Sequence, residues 1–498
     1  ITIGDWSSDV CSSDLSDPTV VVEPVIAPVP APVAVPEATK TTFMEVVPTA
    51  DAKVASDMKI DDNIVMTEKK PMELEETPYM STQEEGSKLA ASIINMMNTI
   101  IGAGTISLPN TIMISGIGGG AIMIVLSLIL SLIGAHYLST AAIYTKEDSY
   151  GFIGRKVVNP TVGYVADFFM ILFDFGISVG YMNILFSQTM DLAAVAMKTT
   201  VSDLSKHNWW VALLEVIFIL FPILCIPTID SLKWASVLSI ICISVFVVIS
   251  IILGIIQVFK GGLTYNWFPS NFLNLSTSVS VFFTCFCSHV NIPKMTSELR
   301  LPKSTRFPNK IKKMDRVNNI AFTACTVIYF LVGLCGYLAF GPETKGNLLS
   351  NFADMQVWYL NIVKVLYAIV ALFSFPILSF APLVSIDKTF FKQPRPAARR
   401  VEEAFVWSIL CYLVAIAIPD LKVIFSLTGS LCGIALVFVW PSLFYIFINK
   451  REKAKEASSR IAIFKVSSKA ITFAWILFYV GVVMAILMTA LEVKKLFD

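Results

Sequence analysis

Apolar runs alternate with short polar loops from Lys88 to the end of the chain. A helix of about 20 residues crosses the roughly 30 Å of hydrocarbon in a bilayer, so each run can form a transmembrane helix. The pattern therefore predicts an all-α polytopic protein that contacts the lipid bilayer. The predicted spans, numbered one to eleven, are 88–114, 119–142, 161–195, 208–227, 233–257, 275–299, 316–340, 357–384, 403–419, 423–447 and 470–491.

The segment before the first span has a different composition. Residues 20–40 read VVVEPVIAPVPAPVAVPEATK, and closely spaced prolines prevent both helices and sheet pairing. The residues that follow are polar and charged. We predict a disordered tail over 1–85 and a membrane domain over 86–498. Residues 1–15 resemble a translated sequencing adapter, so we interpret them as a sequence artefact and exclude them from functional reasoning.

The distribution of Lys and Arg predicts the orientation of the chain. The loops 385–402 and 448–469, after spans eight and ten, contain five and seven of them, whereas the loops after all odd-numbered spans and the C-terminal tail contain seven together. Because positively charged loops stay in the cytoplasm, the even-numbered loops and the N-terminal tail are predicted to be cytoplasmic. Asp498 is then outside the cell or in a lumen. The plasma membrane and a vacuolar or lysosomal membrane are alternative locations.

Composition and motifs exclude several classes of protein. The chain is 55% hydrophobic and 15% charged with a mean hydropathy of +0.71, which is more apolar surface than soluble cores need. A net charge of +1 gives no reason to expect nucleic acid as a partner. Three histidines and the absence of an HExxH motif indicate neither a metal site nor catalytic residues. We predict that the protein is not an enzyme.

The first span contains an interruption. Asn98 to Asn110 reads NTIIGAGTISLPN, with Gly102 and Gly104 at mid-span and Pro109 behind them. Glycine and proline cost a helix about 1 and 3 kcal/mol relative to alanine, so their grouping at membrane depth predicts a broken helix. Bare amides at such a break, and the positive end of the half-helix that follows, would bind a carboxylate.

Span six contains a second interruption, in VFFTCFCSHVNIPKMTSEL. Ser288, His289, Asn291 and Pro293 enter an otherwise apolar run. The freed backbone groups need partners, which in hydrocarbon are a substrate, an ion, water or another helix. Two sets of five spans that each begin with a broken helix are typical of inverted-repeat transporters. We therefore predict a 5+5 repeat of spans one to five and six to ten.

Three motifs resemble those of the amino acid/auxin permease family. NTIIGAGTISLPN resembles its first helix, FCSHVNIPKMTSEL its sixth, and SLTGSLCGIALVFVWPSLFYI its tenth. The resemblance covers about 86–498 and includes the order of the motifs. The matching positions are Asn98, Gly102, Gly104, His289, Pro293, Glu298, Leu299, Gly429, Pro441, Phe444 and Tyr445.

The resemblance implies a LeuT-like fold that transports free amino acids, often with Na⁺ or H⁺ as the coupling ion and without a resident cofactor. It also implies an ion site formed by Asn98 and by Ser374 of span eight, where relatives have threonine; the serine hydroxyl still suits a hard cation. A zwitterion would fit between the two breaks. The predicted substrate-binding residues are Ile100, Ile101, Gly102, Ala103, Gly104, Thr105, Asp174, Ser288, His289 and Asn291.

Four ionisable residues fall inside predicted spans: Asp167, Asp174, Glu215 and Lys364. Charge within a membrane is costly, so each is a functional candidate, and Asp174 is nearest to mid-depth. Asp174 would bind a cationic side chain or carry a proton, with a structural hydrogen bond as the alternative. Glu215 and Lys364 have similar depths and are a candidate ion pair.

The site residues and the function each have alternatives. Gly102 and Gly104 would also permit close packing of a neighbouring helix, and His289 would also satisfy a loose carbonyl. For the whole chain we predict secondary-active amino acid transport by alternating access. The alternative is a transporter-like amino acid sensor that signals through its cytoplasmic tail. A channel is disfavoured because the sequence contains no repeated filter loop or charged ring.

Overall fold

The structure is a computed structural model that describes residues 87–199, 208–226, 233–262, 264–271, 275–299, 307–355, 357–391, 395–457 and 467–497. Regular structure within these residues is helical, apart from one isolated bridge between Ser87 and Leu299. The predicted disordered tail over 1–85 and the suspected artefact over 1–15 lie outside the described residues.

A helical segment coincides with each of the eleven predicted spans. Their bounds are Leu89–Ile100, Ala103–Ser107 and Leu108–Ser115 for span one; Ile117–Thr145; Pro160–Met197; Asn208–Glu215, Val216–Leu220 and Phe221–Leu224 for span four; Lys233–Lys260; Leu275–Phe286, His289–Asn291 and Ile292–Glu298 for span six; Phe307–Phe340; Trp358–Phe390; Ala397–Ala417; Leu421–Thr428, Gly429–Gly433, Ala435–Val439 and Trp440–Ala457 for span ten; and Ser468–Phe497.

Length and composition do not identify every helix as one that crosses a bilayer. Among the described residues eight helices meet that requirement, or nine when the two halves of span one count as one. Span four is short at Trp209–Leu224. Span nine, Ala397–Ala417, carries Arg399, Arg400, Glu402 and Glu403 in its first turns. Composition alone therefore supports fewer than the eleven crossings that the sequence predicts.

Both predicted breaks are present. Span one bends by 46° between its halves, and Gly102 at the bend has an extended backbone with φ −136° and ψ −150°. Pro109 lies in the first turn of Leu108–Ser115, where its missing N–H costs no helical hydrogen bond. In span six the α-helix ends at Phe286 and regular helix resumes at His289. The helices are interrupted where the glycines and the polar residues interrupt the apolar runs.

Contacts between spans occur in equivalent pairs. When each span is replaced by the one five positions away, a contact in one half of the bundle becomes a contact in the other half. Span three packs on span eight, and span one on span six. Span five packs on span seven as span ten packs on span two, and span eight packs on span five as span three packs on span ten. Because five is odd, corresponding spans cross the membrane in opposite directions. These contacts are those of a 5+5 inverted repeat.

Span six lies at the centre of the bundle, where 89% of its most apolar stretch is buried. Span eleven is peripheral, with 22% of its most apolar stretch buried. Two short helices flank the bundle: the even-loop helix Tyr150–Val157, after span two, and the odd-loop helix Leu348–Asp354, after span seven. The even-loop face and the odd-loop face are named after the loops that they carry. The two breaks therefore meet in the interior, away from both faces.

Candidate functional site

A cavity of ≈ 150 Å³ lies between the two helix breaks. Spans one, three, five, six and eight all contribute to its wall. Nine of the twelve residues predicted to bind substrate or ion line it: Asn98, Ile100, Ile101, Gly102, Ala103, Gly104, Asp174, Asn291 and Ser374. The tertiary structure thus gathers side chains and backbone that are almost 300 positions apart in the sequence around one small space.

Three tyrosines from neighbouring spans hold the backbone of the first break. The Ala103 amide donates a hydrogen bond to the Tyr181 hydroxyl, at 3.0 Å. The Tyr329 hydroxyl hydrogen-bonds the carbonyls of Ile100 and Cys285, which joins the two breaks. The Tyr367 hydroxyl lies 3.3 Å from the Gly102 carbonyl. Much of the polarity that the break exposes is therefore satisfied by protein groups before any ligand enters.

Two amides at the break remain available. Within the described residues, the N–H groups of Gly102 and Gly104 donate no hydrogen bond. Both residues line the central cavity. Gly102 precedes the helical turn Ala103–Ser107, and Gly104 lies in it. This turn continues into Leu108–Ser115, so the positive end of the half-helix is directed at the central cavity. A carboxylate in the cavity would find two donors and a favourable dipole.

The glycines are also required by close contacts. A Cβ atom on Gly104 would lie 2.5 Å from the Sγ atom of Cys285 in span six. A Cβ atom on Gly102 would lie 2.8 Å from the Tyr181 hydroxyl. Both distances are too short for a side chain at these positions. The substrate and packing interpretations of the two glycines are therefore compatible.

Asp174 is the carboxyl group of the cavity. Its residue is 3% exposed, and no hydrogen bond or ion pair of its side chain is found within the described residues. It lines the central cavity and also a second cavity of ≈ 280 Å³ that extends toward the even-loop face. An unpaired carboxylate in such a place is costly, and either a proton or a cation would relieve that cost.

Three predicted residues lie outside the lining of the cavity. His289 Nε2 is 3.0 Å from the carbonyl oxygen of Ser131 in span two, so its ring is directed away from the substrate space. Ser288 and Thr105 are buried beside the breaks, and their hydroxyl oxygens have no partner among the described residues. The position of His289 matches the alternative in which the ring satisfies a loose carbonyl.

The two predicted ion ligands share the cavity but differ in their surroundings. Asn98 comes from the last turn of the first half of span one, and Ser374 from the middle of span eight. Tyr181 lines the same cavity, and its hydroxyl oxygen accepts a hydrogen bond from the Ala103 amide. Tyr181 therefore connects span three to the first break, beside both predicted ion ligands.

Sequence reasoning missed several residues of the wall. Tyr181 follows Asp174 and Ile177 at the helical spacing of one face of span three, and this spacing is a signal that could have found it. Thr284 and Cys285 line the cavity from span six, one turn before the polar residues that drew attention there. Ser239 and Ile243 line it from span five, for which the sequence offers no comparable signal.

The other ionisable residues of the spans are distributed differently from the prediction. Asp167 Oδ2 is 2.6 Å from Arg155 Nη2, which anchors the even-loop helix to span three. The predicted ion pair of Glu215 with Lys364 is wrong. Glu215 is buried in span four, and its Oε2 atom has no partner among the described residues, whereas Lys364 lines a cavity at the odd-loop face together with Asp191. Helical rotation about the axes of spans four and eight turns the two charges toward different neighbours.

A polytopic helical bundle with a small polar cavity between two broken helices defines a membrane transport protein. Residues 85–490 match the family described as "Transmembrane amino acid transporter protein". The chain belongs to this family of amino acid transporters, and like its members it is a multi-pass membrane protein and not an enzyme.

Individual relatives agree with this family. The chain is 27% identical to amino acid transporter AVT6A of Arabidopsis thaliana, over 76% of this chain and 85% of the relative. It is 28% identical to vacuolar amino acid transporter 5 of Schizosaccharomyces pombe, over 72% and 84%, and 22% identical to sodium-coupled neutral amino acid transporter 7 of Danio rerio, over 72% and 78%. Among solved structures, it is similar to the inward-facing conformation of Mhp1, with a TM-score of 0.48, 10% identity and coverage of 82% and 92%.

Tyr181→Phe tests the contact between the first break and span three. The variant should fold normally, because only one oxygen is lost, but the Ala103 amide should lose its hydrogen-bond partner. Removing a buried hydrogen-bond partner costs about 1–3 kcal/mol, so we expect substrate affinity to fall by about tenfold or more. Amino acid binding to the purified variant measures this. An unchanged affinity would mean that the tyrosine only fills space.

Proposed function

We propose that this protein is a secondary-active transporter that binds one amino acid in the central cavity and carries it by alternating access. The single observation behind the proposal is the cavity itself, where the free amides of Gly102 and Gly104 and the unpaired Asp174 face one space between two breaks. The amides and the half-helix dipole would bind the carboxylate. The unwound carbonyl of Ile101 and the span-six backbone near Val290 and Asn291, which line the same cavity, would bind the amino group.

A difference between the two halves of the bundle supports alternating access. Span six packs along span ten, but within the described residues its counterpart, span one, makes no comparable contact with span five. The central cavity extends into that gap, where it is lined by Thr99 and Ser239. If span one came to pack on span five as span six now packs on span ten, and span six moved away from span ten, the site would open to the opposite side of the membrane.

The second cavity, which extends toward the even-loop face, is separated from the central cavity by five side chains. Asp174, Val290, Asn291, Ile377 and Leu378 line both the central cavity and the second one. We propose that movement of these side chains releases substrate toward the even-loop face, which the positive-inside rule assigns to the cytoplasm. Lys294 and Lys388 lie in the wall of the second cavity.

For the coupling ion we propose H⁺, carried by Asp174. A carboxyl group that faces both cavities without a partner can gain a proton from one side and lose it to the other. The competing site for Na⁺ would use Asn98 and Ser374.

For the location we propose a vacuolar or lysosomal membrane, with the N-terminal tail in the cytoplasm and Asp498 in the lumen. The similarity to vacuolar amino acid transporter 5 of Schizosaccharomyces pombe supports this choice over the plasma membrane. The names of the relatives give no support to the alternative of an amino acid sensor.

Counterflow in proteoliposomes tests the proposed function. Vesicles preloaded with each of the twenty amino acids should draw in the same labelled amino acid faster than empty vesicles, for at least one of them. A pH gradient should drive accumulation of that amino acid when choline replaces Na⁺. Binding without exchange would indicate a sensor, and a strict requirement for Na⁺ would transfer the coupling role to Asn98 and Ser374.

A further inference from the structure

A third cavity, of ≈ 760 Å³, opens at the odd-loop face and shares no residue with the central cavity. It lies between the end of span three, the odd-loop helix Leu348–Asp354 and the start of span eight. We call it the outer cavity. Its charged and amide side chains are Asp191, Lys198, Lys345, Asp354, Asn361 and Lys364.

Two of these charges are buried and unpaired. Lys364 is 1% exposed and Asp191 is 8% exposed. Asp191 Oδ2 is buried without a hydrogen bond, and neither side chain forms an ion pair within the described residues. By contrast, Lys345 and Asp354 at the rim pair with each other at 2.6 Å. Within the described residues, the interior of the outer cavity therefore holds an ammonium group and a carboxylate that attract each other but are too far apart to form an ion pair.

Burying opposite charges that do not form an ion pair is costly unless a ligand pairs with them. An inorganic anion would pair with Lys364 and be repelled by Asp191, and a cation would pair with Asp191 and be repelled by Lys364. A zwitterion pairs with both, because its carboxylate can lie against Lys364 and its ammonium group against Asp191. The serine and asparagine side chains of the wall, Ser187, Ser350 and Asn361, offer further hydrogen bonds.

We propose that the outer cavity is a second binding site for a zwitterionic amino acid, with Lys364 and Asp191 as its carboxylate and ammonium partners. This inference rests on the proposed function. Asp191 is ten residues beyond Tyr181 on the same helix, so the two sites are about 15 Å apart. The odd-loop helix also packs on Ala103–Ser107 of the first break, so the element that walls the outer site touches the central one.

The stoichiometry of binding tests the proposal on the purified full-length protein. The probe is a mixture of the twenty ¹⁴C-labelled amino acids, measured by scintillation proximity. The wild type should bind about two molecules per chain. Lys364→Met and Asp191→Asn should each weaken binding of the second molecule by about 30-fold or more, because each leaves one charge of the bound zwitterion buried without a partner. Lys345→Met is the matched control and should still bind two, since its lysine already has an ion partner.

Competition identifies the chemistry of the site. The amino acid that drives counterflow should displace label from both sites, whereas its deaminated and its decarboxylated analogues, which each carry only one of its two charges, should leave the outer site occupied. Displacement by the deaminated analogue as effective as that by the amino acid itself would overturn the zwitterion and indicate an anion site. If Lys364→Met does not yield a monodisperse protein, the isosteric Asp191→Asn variant decides the question.

The same binding measurement distinguishes the outer site from the transport function. Binding of one molecule per chain, with the same affinity in the wild type, Lys364→Met and Asp191→Asn, would overturn the outer site and leave the proposed transporter intact. No binding of any amino acid by the folded wild type would overturn the proposed function as well.

Discussion

Asp174→Asn is expected to remove proton-driven accumulation of amino acid while leaving the folded protein and equal-pH exchange intact. The carboxyl group is buried between the central cavity and the second cavity, and asparagine keeps its shape without its proton. A gradient of one pH unit is worth about 1.4 kcal/mol, or about tenfold accumulation for one proton per substrate. The variant should therefore lower the accumulation ratio from about ten to about one.

The groups around Asp174 determine how this result is interpreted. Cys287 of span six lines the central cavity with it, and Asp148, Lys294 and Lys388 line the second cavity. Asp148→Asn is the matched control, because it removes an exposed carboxylate at the mouth of the same cavity. The control should keep the full ratio. A full ratio in Asp174→Asn would exclude this residue as the proton carrier.

Proteoliposomes with a fixed pH difference and choline in place of Na⁺ provide the measurement. Exchange at equal pH provides the internal reference, since it needs the substrate site and both conformations but no net proton movement. Loss of both activities in Asp174→Asn would instead assign the side chain to substrate binding. That result would favour a direct contact with the amino group or with a cationic side chain.

Gly104→Ala should nearly abolish uptake and lower the melting temperature, and Cys285→Ala in the same chain should restore both. The added Cβ would lie 2.5 Å from Cys285 Sγ but 3.3 Å from the Cys285 Cβ, so removing the sulfur turns a clash into a tight contact. Overpacking of this kind costs about 1–3 kcal/mol. The amide of residue 104 is retained throughout, so its proposed contact with a carboxylate is preserved.

Gly433→Ala is the matched control for this pair of substitutions. Its added Cβ would meet its nearest neighbour, in Phe283, at 3.6 Å, which is an ordinary contact. The control should transport and melt like the wild type. Thermal unfolding and labelled uptake measure the two effects. If the double variant is folded but still inactive, the space beside Gly104 is needed by the substrate and not only by span six.

The sequence alone determined the spans and the two places where they break. A bilayer fixes the length of an apolar run, and glycine, proline and polar residues at mid-span cannot continue a dry helix. The 46° bend at Gly102 and the interruption after Phe286 follow from these local rules. The family also followed from the sequence, because its motifs are local and lie at those same breaks.

The tertiary structure decided which side chains face the site. A helix turns by 100° per residue, so an apolar run does not reveal which of its faces meets the centre. His289 turns toward Ser131, Lys364 toward the outer cavity and Tyr181 toward the first break. Tyr329 and Tyr367 reach the break from positions more than 200 residues away. Only the packing of the spans brings these groups to backbone atoms that would otherwise be unsatisfied in hydrocarbon.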